Sequence, residues 1–261
     1  MTNPVALERL LRHDRLIVAT SLLGVSLLAW LYLIRMALDM PGMSVALHEL
    51  ATMPLQPWSG AYFVMILLMW VVMMVGMMLP SAAPAILLFS RLVRQNPDAA
   101  HPLLRSHLFA LGYLLAWTAF SALATTLQWG IETAALQIPS VAASGPILGG
   151  VVLILAGVYQ WTPLKDACLS QCRGPLGFLT THWRRSLPGA LRMGIDHGLY
   201  CVGCCWMIMA LLFVGGVMNL LWVAAITVFI LLEKLLPFGV QAGRLSGGLL
   251  VLAGGFVLLN S

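Results

Sequence analysis

All five cysteines of the chain lie in one short stretch, and they fall into two groups. Cys168 and Cys172 are spaced C-x3-C, and Cys201, Cys204 and Cys205 are spaced C-x2-C-C. Thiolates are ligands for Cu(I), for zinc and for iron–sulfur clusters. Single cysteines are often inert, buried packing residues, but this clustering predicts a soft-metal or redox site.

His197 precedes the second cysteine group by four residues. In a helix of 3.6 residues per turn, positions 197, 201, 204 and 205 share one face. We therefore predict that His197 is a further metal ligand. Asp196 is expected either to orient the imidazole of His197 or to cap a helix.

The methionines suggest which metal this site binds. Five of them crowd residues 69–78, and Met73 and Met77 share one helical face. Thioethers favour Cu(I) over zinc, so both are candidate ligands on a path for Cu(I), although methionine is also a common packing residue. Glu233 lies in an apolar segment, where an ionisable side chain is either functional or reaches interfacial water.

The composition indicates which elements position these residues. The chain is 61% hydrophobic and 9% charged, whereas a soluble domain carries about 25% charged residues. Lipid must therefore cover much of the surface, and segments in lipid must be helical. We predict an all-α transmembrane bundle of about seven spans, or six, in one domain over residues 1–261. The candidate spans are 16–36, 60–80, 107–128, 146–161, 197–217, 219–236 and 245–260.

Positive charges predict the orientation of the bundle. With a cytoplasmic N-terminus, 13 of the 14 lysines and arginines fall on the cytoplasmic side, and Arg35 alone falls outside. This asymmetry follows the positive-inside rule. It predicts a multi-pass protein of the inner (plasma) membrane with both cysteine groups at the cytoplasmic edge. Pro80 and Pro84 are expected to bend or break the second span near the same edge.

The chain carries no motif of several other function classes. It has no basic and aromatic patch suited to nucleic acid, and no glycine loop suited to a nucleotide. It also has no Ser-His-Asp pattern, no H-E-x-x-H motif and no carboxylate pair placed for acid–base chemistry. An enzymatic role therefore depends on the cysteines alone.

Several stretches resemble a bacterial family described as predicted metal-binding integral membrane proteins, a domain of unknown function. The matching stretches are "MMLPSAAP" (77–84), "YQWTPLKDACLSQCRGPLGFL" (159–179), "HGLYCVGCCWMIMALLFVGGVMNLLWVA" (197–224) and "LLEKLLP" (231–237). The resemblance implies a multi-span helical protein with a metal site, and all five cysteines fall on cysteine positions of that family.

These observations leave three functional hypotheses. The first is a membrane protein that binds Cu(I), with zinc or an iron–sulfur cluster as alternatives, and passes it to a partner or across the membrane. Such a protein needs a metal-donor or metal-acceptor protein as well as the lipid bilayer. The second is a membrane thiol–disulfide oxidoreductase, in which two cysteine groups relay electrons. The third is a scaffold or assembly subunit with incidental cysteines.

Overall fold

The structure, a computed structural model, describes residues 4–39, 58–95, 101–138 and 144–260, without the side chains of residues 4–15 and of Asp39. The predicted domain over residues 1–261 also includes short stretches outside these ranges. Within the described ranges the chain forms nine helices and no strand, which confirms the all-α prediction. They are α1 Pro4–Asp39, α2 Gly60–Gln95, α3 Pro102–Gln137, α4 Gly145–Tyr159, α5 Pro163–Arg173, α6 Pro175–Thr181, α7 Leu187–Gly215, α8 Leu220–Leu235 and α9 Gly239–Leu259.

Five helical segments are long and apolar enough to cross a membrane: Leu16–Leu38, Gly60–Gln95, Pro102–Gln137, Leu187–Gly215 and Gly239–Leu259. A sixth results if α4 and α5, which meet at a bend of 65°, form one broken span. The segment predicted at 219–236 forms α8, whose 16 residues extend about 24 Å against a hydrocarbon core of about 30 Å.

Helices α2, α3 and α7 form the centre of the bundle. Helix α1 packs against α2, and the pair α4–α9 packs on the opposite side against α7. Helix α9 exposes Leu245, Leu249, Leu252 and Phe256, each between 68% and 73% accessible. A continuous exposed apolar surface of this kind is suited to lipid.

The prediction that the second span bends or breaks is wrong as to the break, because helix α2 continues through Pro80 and Pro84. The bend stays a prediction. Pro80 lacks the N–H that would bond to the carbonyl of Gly76, four residues earlier. The indole Nε1 of Trp30 in α1 donates to that Gly76 carbonyl at 3.2 Å. A neighbouring helix therefore satisfies the acceptor that the proline leaves free, and α2 remains one helix of 36 residues.

Glycines fix how closely α7 approaches α3. A Cβ atom on Gly194 would collide with the backbone of Phe109, and one on Gly112 would collide with the Leu191 carbonyl. Gly198, one turn further along α7, lies against the backbone of α3 in the same way. Small residues allow such close helix packing in lipid, and here they hold the cysteine-bearing face of α7 against α3.

A second glycine contact joins α4 to α9. Gly150 lies against the carbonyl of Gly254, and Gly157 lies against the carbonyl of Gly247. The two contacts are seven residues apart on each helix, which places them on one face of each helix two turns apart. This contact joins the exposed helix α9 to α4, and α4 leads directly into the helix that carries Cys172.

Candidate metal centre

Three thiols from two helices meet inside the bundle. Cys172 lies in α5, while Cys201 and Cys204 lie on neighbouring positions of one face of α7. Their sulfur atoms all lie within 4.8 Å of one another, and the Sγ atoms of Cys172 and Cys204 are 3.9 Å apart. Within the described ranges, no other three His, Cys or acidic side chains come this close. We call these three residues the thiol cluster.

The α7 thiols of the cluster are shielded from solvent. Cys201 and Cys204 are at most 1% exposed, and only Cys172 is partly accessible. Cys204 Sγ donates to the Cys201 carbonyl at 3.1 Å, and Cys205 Sγ donates to the same carbonyl at 2.8 Å. Sulfur atoms this close and free of disulfide bonds form a ligand set that suits a soft cation.

Two polar side chains from other helices contact Cys201. The Lys234 ammonium of α8 lies 2.9 Å from Cys201 Sγ, and the Tyr113 hydroxyl of α3 lies 3.0 Å from it. Lys234 also donates to Ser81 Oγ of α2 at 3.3 Å, and Tyr113 donates to the Met78 carbonyl at 3.1 Å. The lysine therefore brings a positive charge to a site where metal binding requires negative thiolates.

Helix α5 is held in place by a buried ion pair. It begins with Pro163 after Thr162, whose hydroxyl accepts from the Lys165 backbone N–H at 3.3 Å. The Lys165 ammonium contacts both the Glu233 carboxylate of α8 and the Gln160 side-chain oxygen. Lys165 and Glu233 are both almost inaccessible to solvent. Glu233 therefore anchors α5, and with it Cys172, to α8.

Arg173 makes a second connection at the other end of α5. Its guanidinium donates to the Glu233 carbonyl at 2.6 Å and to the Leu236 carbonyl at 2.7 Å. These carbonyls belong to the last turn of α8, where the backbone acceptors have no partner within the helix. Arg173 is adjacent to Cys172, so the two connections together fix the position of that thiol against α7.

The remaining two predicted cysteines lie beside the cluster. Cys168 is half-buried, and its Sγ lies 2.7 Å from the position that a Cβ atom on Gly203 would occupy. The absence of a side chain at Gly203 thus makes room for Cys168 against α7. Cys205 is fully buried, next to Cys204 in the chain. Neither belongs to the group of sulfur atoms within 4.8 Å.

His197 lies one turn before Cys201 in an aromatic environment. The rings of Phe178, Phe109 and Tyr113 have centroids 5.0 to 6.0 Å from its ring. The imidazole is 2% exposed, and its Nδ1 has no hydrogen-bond partner in the part of the chain that the structure describes.

Asp196 does not lie at a helix start, because α7 begins at Leu187. Its Oδ1 accepts from the Nε of Arg192 at 3.1 Å, on the adjacent turn of α7. That ion pair, in which Arg192 is 66% exposed, faces away from the buried surface on which the cysteines lie.

Met73 and Met77 are both buried in the centre of α2. Met73 lines a small cavity together with Val217, in the turn that connects α7 and α8, and with Leu220, the first residue of α8. This cavity lies beside the C-terminal end of α7, which ends 14 residues after Cys201. The methionines therefore extend from the region of the thiol cluster toward the opposite end of α2.

Sequence reasoning missed two side chains that the structure places in or beside the site, Tyr113 and Lys165. Lys234, like Glu233, is a candidate from the sequence. Lys234 carries a detectable signal, since an ionisable residue in an apolar segment suggests a role in the bundle interior. Lys165 lies in a polar stretch and Tyr113 in an ordinary apolar one, so only their contacts across the fold reveal their place.

Fold and site together define a helical protein with membrane-length apolar helices and a candidate metal centre of three converging thiols. The family model PpoB2, described as a copper chaperone, matches residues 67–257. The match covers well over half of the chain, including all five cysteines, and the chain belongs to this copper chaperone family. No curated protein and no solved structure matches the chain.

Proposed function

We propose that the protein is a multi-pass membrane protein that holds Cu(I) on Cys172, Cys201 and Cys204 and transfers it to an acceptor protein. One observation carries this proposal: thiols from two separate helices converge within 4.8 Å of one another. Membership of a copper chaperone family supports copper as the metal. The copper is the cargo of the protein, and the three thiols are the residues that would hold it.

The donor set favours Cu(I) over harder cations. Thiolate sulfur is a soft ligand that suits Cu(I), while oxygen ligands suit magnesium or calcium. Zinc in structural sites almost always takes four ligands, whereas the cluster offers three. Cys168, Cys205 and His197 are further candidate ligands, and each lies on or against α7 near the cluster.

The positions of the cluster residues support release as well as capture. Cys172 lies on the short helix α5 at the end of the bundle and is partly exposed, while its two partners are buried. An acceptor can therefore reach the ion first from the Cys172 side. Exchange through this thiol would pass Cu(I) to a second protein without opening the bundle.

We further propose seven spans, a cytoplasmic N-terminus and a location in the inner membrane, with the thiol cluster at the cytoplasmic edge. The exposed apolar surface of α9 and the distribution of positive charges support this arrangement. Labelling of intact cells with a membrane-impermeant maleimide tests it, and Cys168 is the half-buried thiol to follow. Slow labelling that becomes fast after lysis is expected, and fast labelling of intact cells contradicts the orientation.

Metal analysis of the purified protein tests the binding function. Anaerobically purified wild-type protein should retain Cu(I) against a moderate chelator, and the double variant Cys172→Ser/Cys204→Ser should lose this tightly held ion. The variant Ser170→Ala, on the exposed side of α5, is the matched control and should retain copper. Equal retention by the wild type and by the double variant would refute the proposed site.

The oxidoreductase alternative is favoured by the distance of 3.9 Å between Cys172 and Cys204, which a small movement would close to a disulfide. The burial of Cys204 disfavours it, since a substrate disulfide must reach the attacking thiolate. Reduction of a disulfide substrate by the copper-free protein, with catalytic turnover that Cys172→Ser abolishes, would replace the chaperone proposal with this alternative.

A further inference from the structure

Four methionines surround one small cavity at the end of the bundle away from the thiol cluster. Met36 comes from the last turns of α1, Met69 and Met73 from α2, and Met218 from the turn between α7 and α8. We call this the methionine cavity. Its other lining residues are Leu33, Ala37, Val217, Leu220 and Val223.

The chemistry of this lining is unusual for a packing defect. Methionine supplies four of the nine lining residues, although it makes up only 15 of the 261 residues of the chain. The other five side chains are aliphatic, so the lining side chains offer no oxygen or nitrogen ligand. Thioether sulfur is a soft donor that selects Cu(I).

The local structure brings these sulfur-bearing side chains together from three separate parts of the chain. Met69 and Met73 are one turn apart on α2 and are at most 2% exposed. Gly216 ends α7 with a φ of 87°, a left-handed conformation that favours glycine. Asn219 then caps α8 by accepting from the Trp222 backbone N–H at 3.2 Å. These two residues fix the turn that holds Met218 over the cavity.

The cavity has a partly exposed residue at its edge, and helix α2 runs from it toward the residues around the thiol cluster. Met218 is 37% exposed, so an ion can reach the cavity past this residue. Along α2, Met73 precedes Ser81 by eight residues, which corresponds to about 12 Å. Ser81 contacts Lys234, and Lys234 contacts Cys201. Met77, fully buried, lies halfway between Met73 and Ser81.

We propose that the methionine cavity is a second binding site for Cu(I), with Met36, Met69, Met73 and Met218 as its ligands. The proposal rests on copper being the cargo of the thiol cluster. It adds a thioether site beside the turn between α7 and α8. Along α2, Met73 of this site lies about 12 Å from Ser81, with Met77 between the two. The copper remains Cu(I) at both sites, so no oxidant or reductant is required.

The test is an equilibrium titration of the full-length protein in detergent, under anaerobic conditions, with Cu(I) and separately with Ag(I) as a redox-inert probe. Wild-type protein should bind two ions, one tightly and one more weakly. The double variant Met69→Leu/Met73→Leu should bind one ion. Leucine nearly preserves the volume of methionine, so the fold is expected to remain intact.

Further variants separate this site from the thiol cluster and from effects on folding. Cys172→Ser/Cys204→Ser should lose the tight ion and keep the weak one. Met209→Leu, at a buried methionine outside the cavity, is the matched control and should still bind two ions. Met218→Leu, in the partly exposed turn, should weaken the second ion at least tenfold with an unchanged melting temperature.

Two results would overturn the inference. The first is a wild-type protein that binds a single ion, which the cysteine variant loses, because the thiol cluster would then be the whole site. The second is a methionine double variant that still binds two ions with wild-type affinities. Both results would leave the proposed function of the thiol cluster intact, whereas loss of only the weak ion in the cysteine variant would contradict that function.

Discussion

Replacement of Lys165 by methionine tests how the structure positions Cys172. The Lys165 ammonium contacts the Glu233 carboxylate inside the bundle, and both side chains are at most 2% exposed. Lys165→Met keeps the length of the side chain and removes its charge. It therefore leaves Glu233 as an uncompensated charge between α5 and α8.

The expected loss of folding stability follows from the burial of the Lys165–Glu233 ion pair. Removal of one partner from a buried ion pair costs about 3–5 kcal/mol, which corresponds to roughly a hundredfold to several-thousandfold in the unfolding equilibrium constant. The double variant Lys165→Met/Glu233→Gln removes both charges and should lose only about 1–2 kcal/mol, because Gln160 still loses its partner. The two substitutions are therefore expected to be strongly non-additive.

The assay is reversible unfolding of the purified protein in mixed detergent micelles, combined with Cu(I) competition titration. Asp166→Asn is the matched control, since Asp166 lies on the same helix and pairs with Arg244 at 3.1 Å on the surface, where the side chains are 38% and 58% exposed. Loss of an exposed pair costs at most about 1 kcal/mol. Lys165→Met should also weaken Cu(I) binding, because α5 carries Cys172.

A Lys165→Met variant no less stable than Asp166→Asn would refute the assigned role of the buried pair. Additive losses in the double variant would refute the coupling of the two charges. A destabilised Lys165→Met variant with unchanged Cu(I) affinity would show that α5 does not depend on this contact to present Cys172.

Three further outcomes are expected. Lys234→Met should weaken Cu(I) retention against a competing chelator about tenfold or more, since a charge-assisted hydrogen bond contributes about 1.5–3 kcal/mol; unchanged retention would contradict this. Diamide, which is reduced to its hydrazine as two thiols form a disulfide, should join Cys172 to Cys204 in the copper-free protein and block copper binding until a reductant is added. Peptide mass spectrometry identifies the bond, and its absence argues against the distance of 3.9 Å. Gly194→Ala should destabilise the fold by about 1–3 kcal/mol because of the contact with α3, whereas Gly130→Ala, with open space around it, should be neutral or slightly stabilising; equal effects would refute the close-packing role.

Much of the helical architecture could be predicted from composition and apolar patterning. Every segment that crosses the lipid in this protein must be helical, so the all-α class followed directly. The course of α2 could not be predicted, because its continuity through Pro80 depends on the Trp30 indole from another helix. The outlines of α5 and α6 were also missed, since helices of 11 and 7 residues outside the membrane-length apolar segments leave no clear hydropathy signal.

The candidate metal site could likewise be predicted only in part. The spacing of Cys201 and Cys204 on one helical face could be predicted because it depends on local geometry. The approach of Cys172 to that face depends on contacts between distant positions, namely Lys165 with Glu233 and Arg173 with the end of α8. Contacts between residues far apart in the chain cannot be read from the sequence alone. The sequence therefore predicted the ligand types but not which of the five thiols meet.

The central claim is that Cys172, Cys201 and Cys204 together bind one Cu(I) ion. Copper K-edge X-ray absorption of the anaerobic protein loaded with one equivalent of Cu(I) tests it most directly. We expect a first shell of three sulfur atoms in the wild type, and two in Cys172→Ser. A shell dominated by nitrogen or oxygen, or a sulfur shell that remains unchanged in Cys172→Ser, would contradict the assignment.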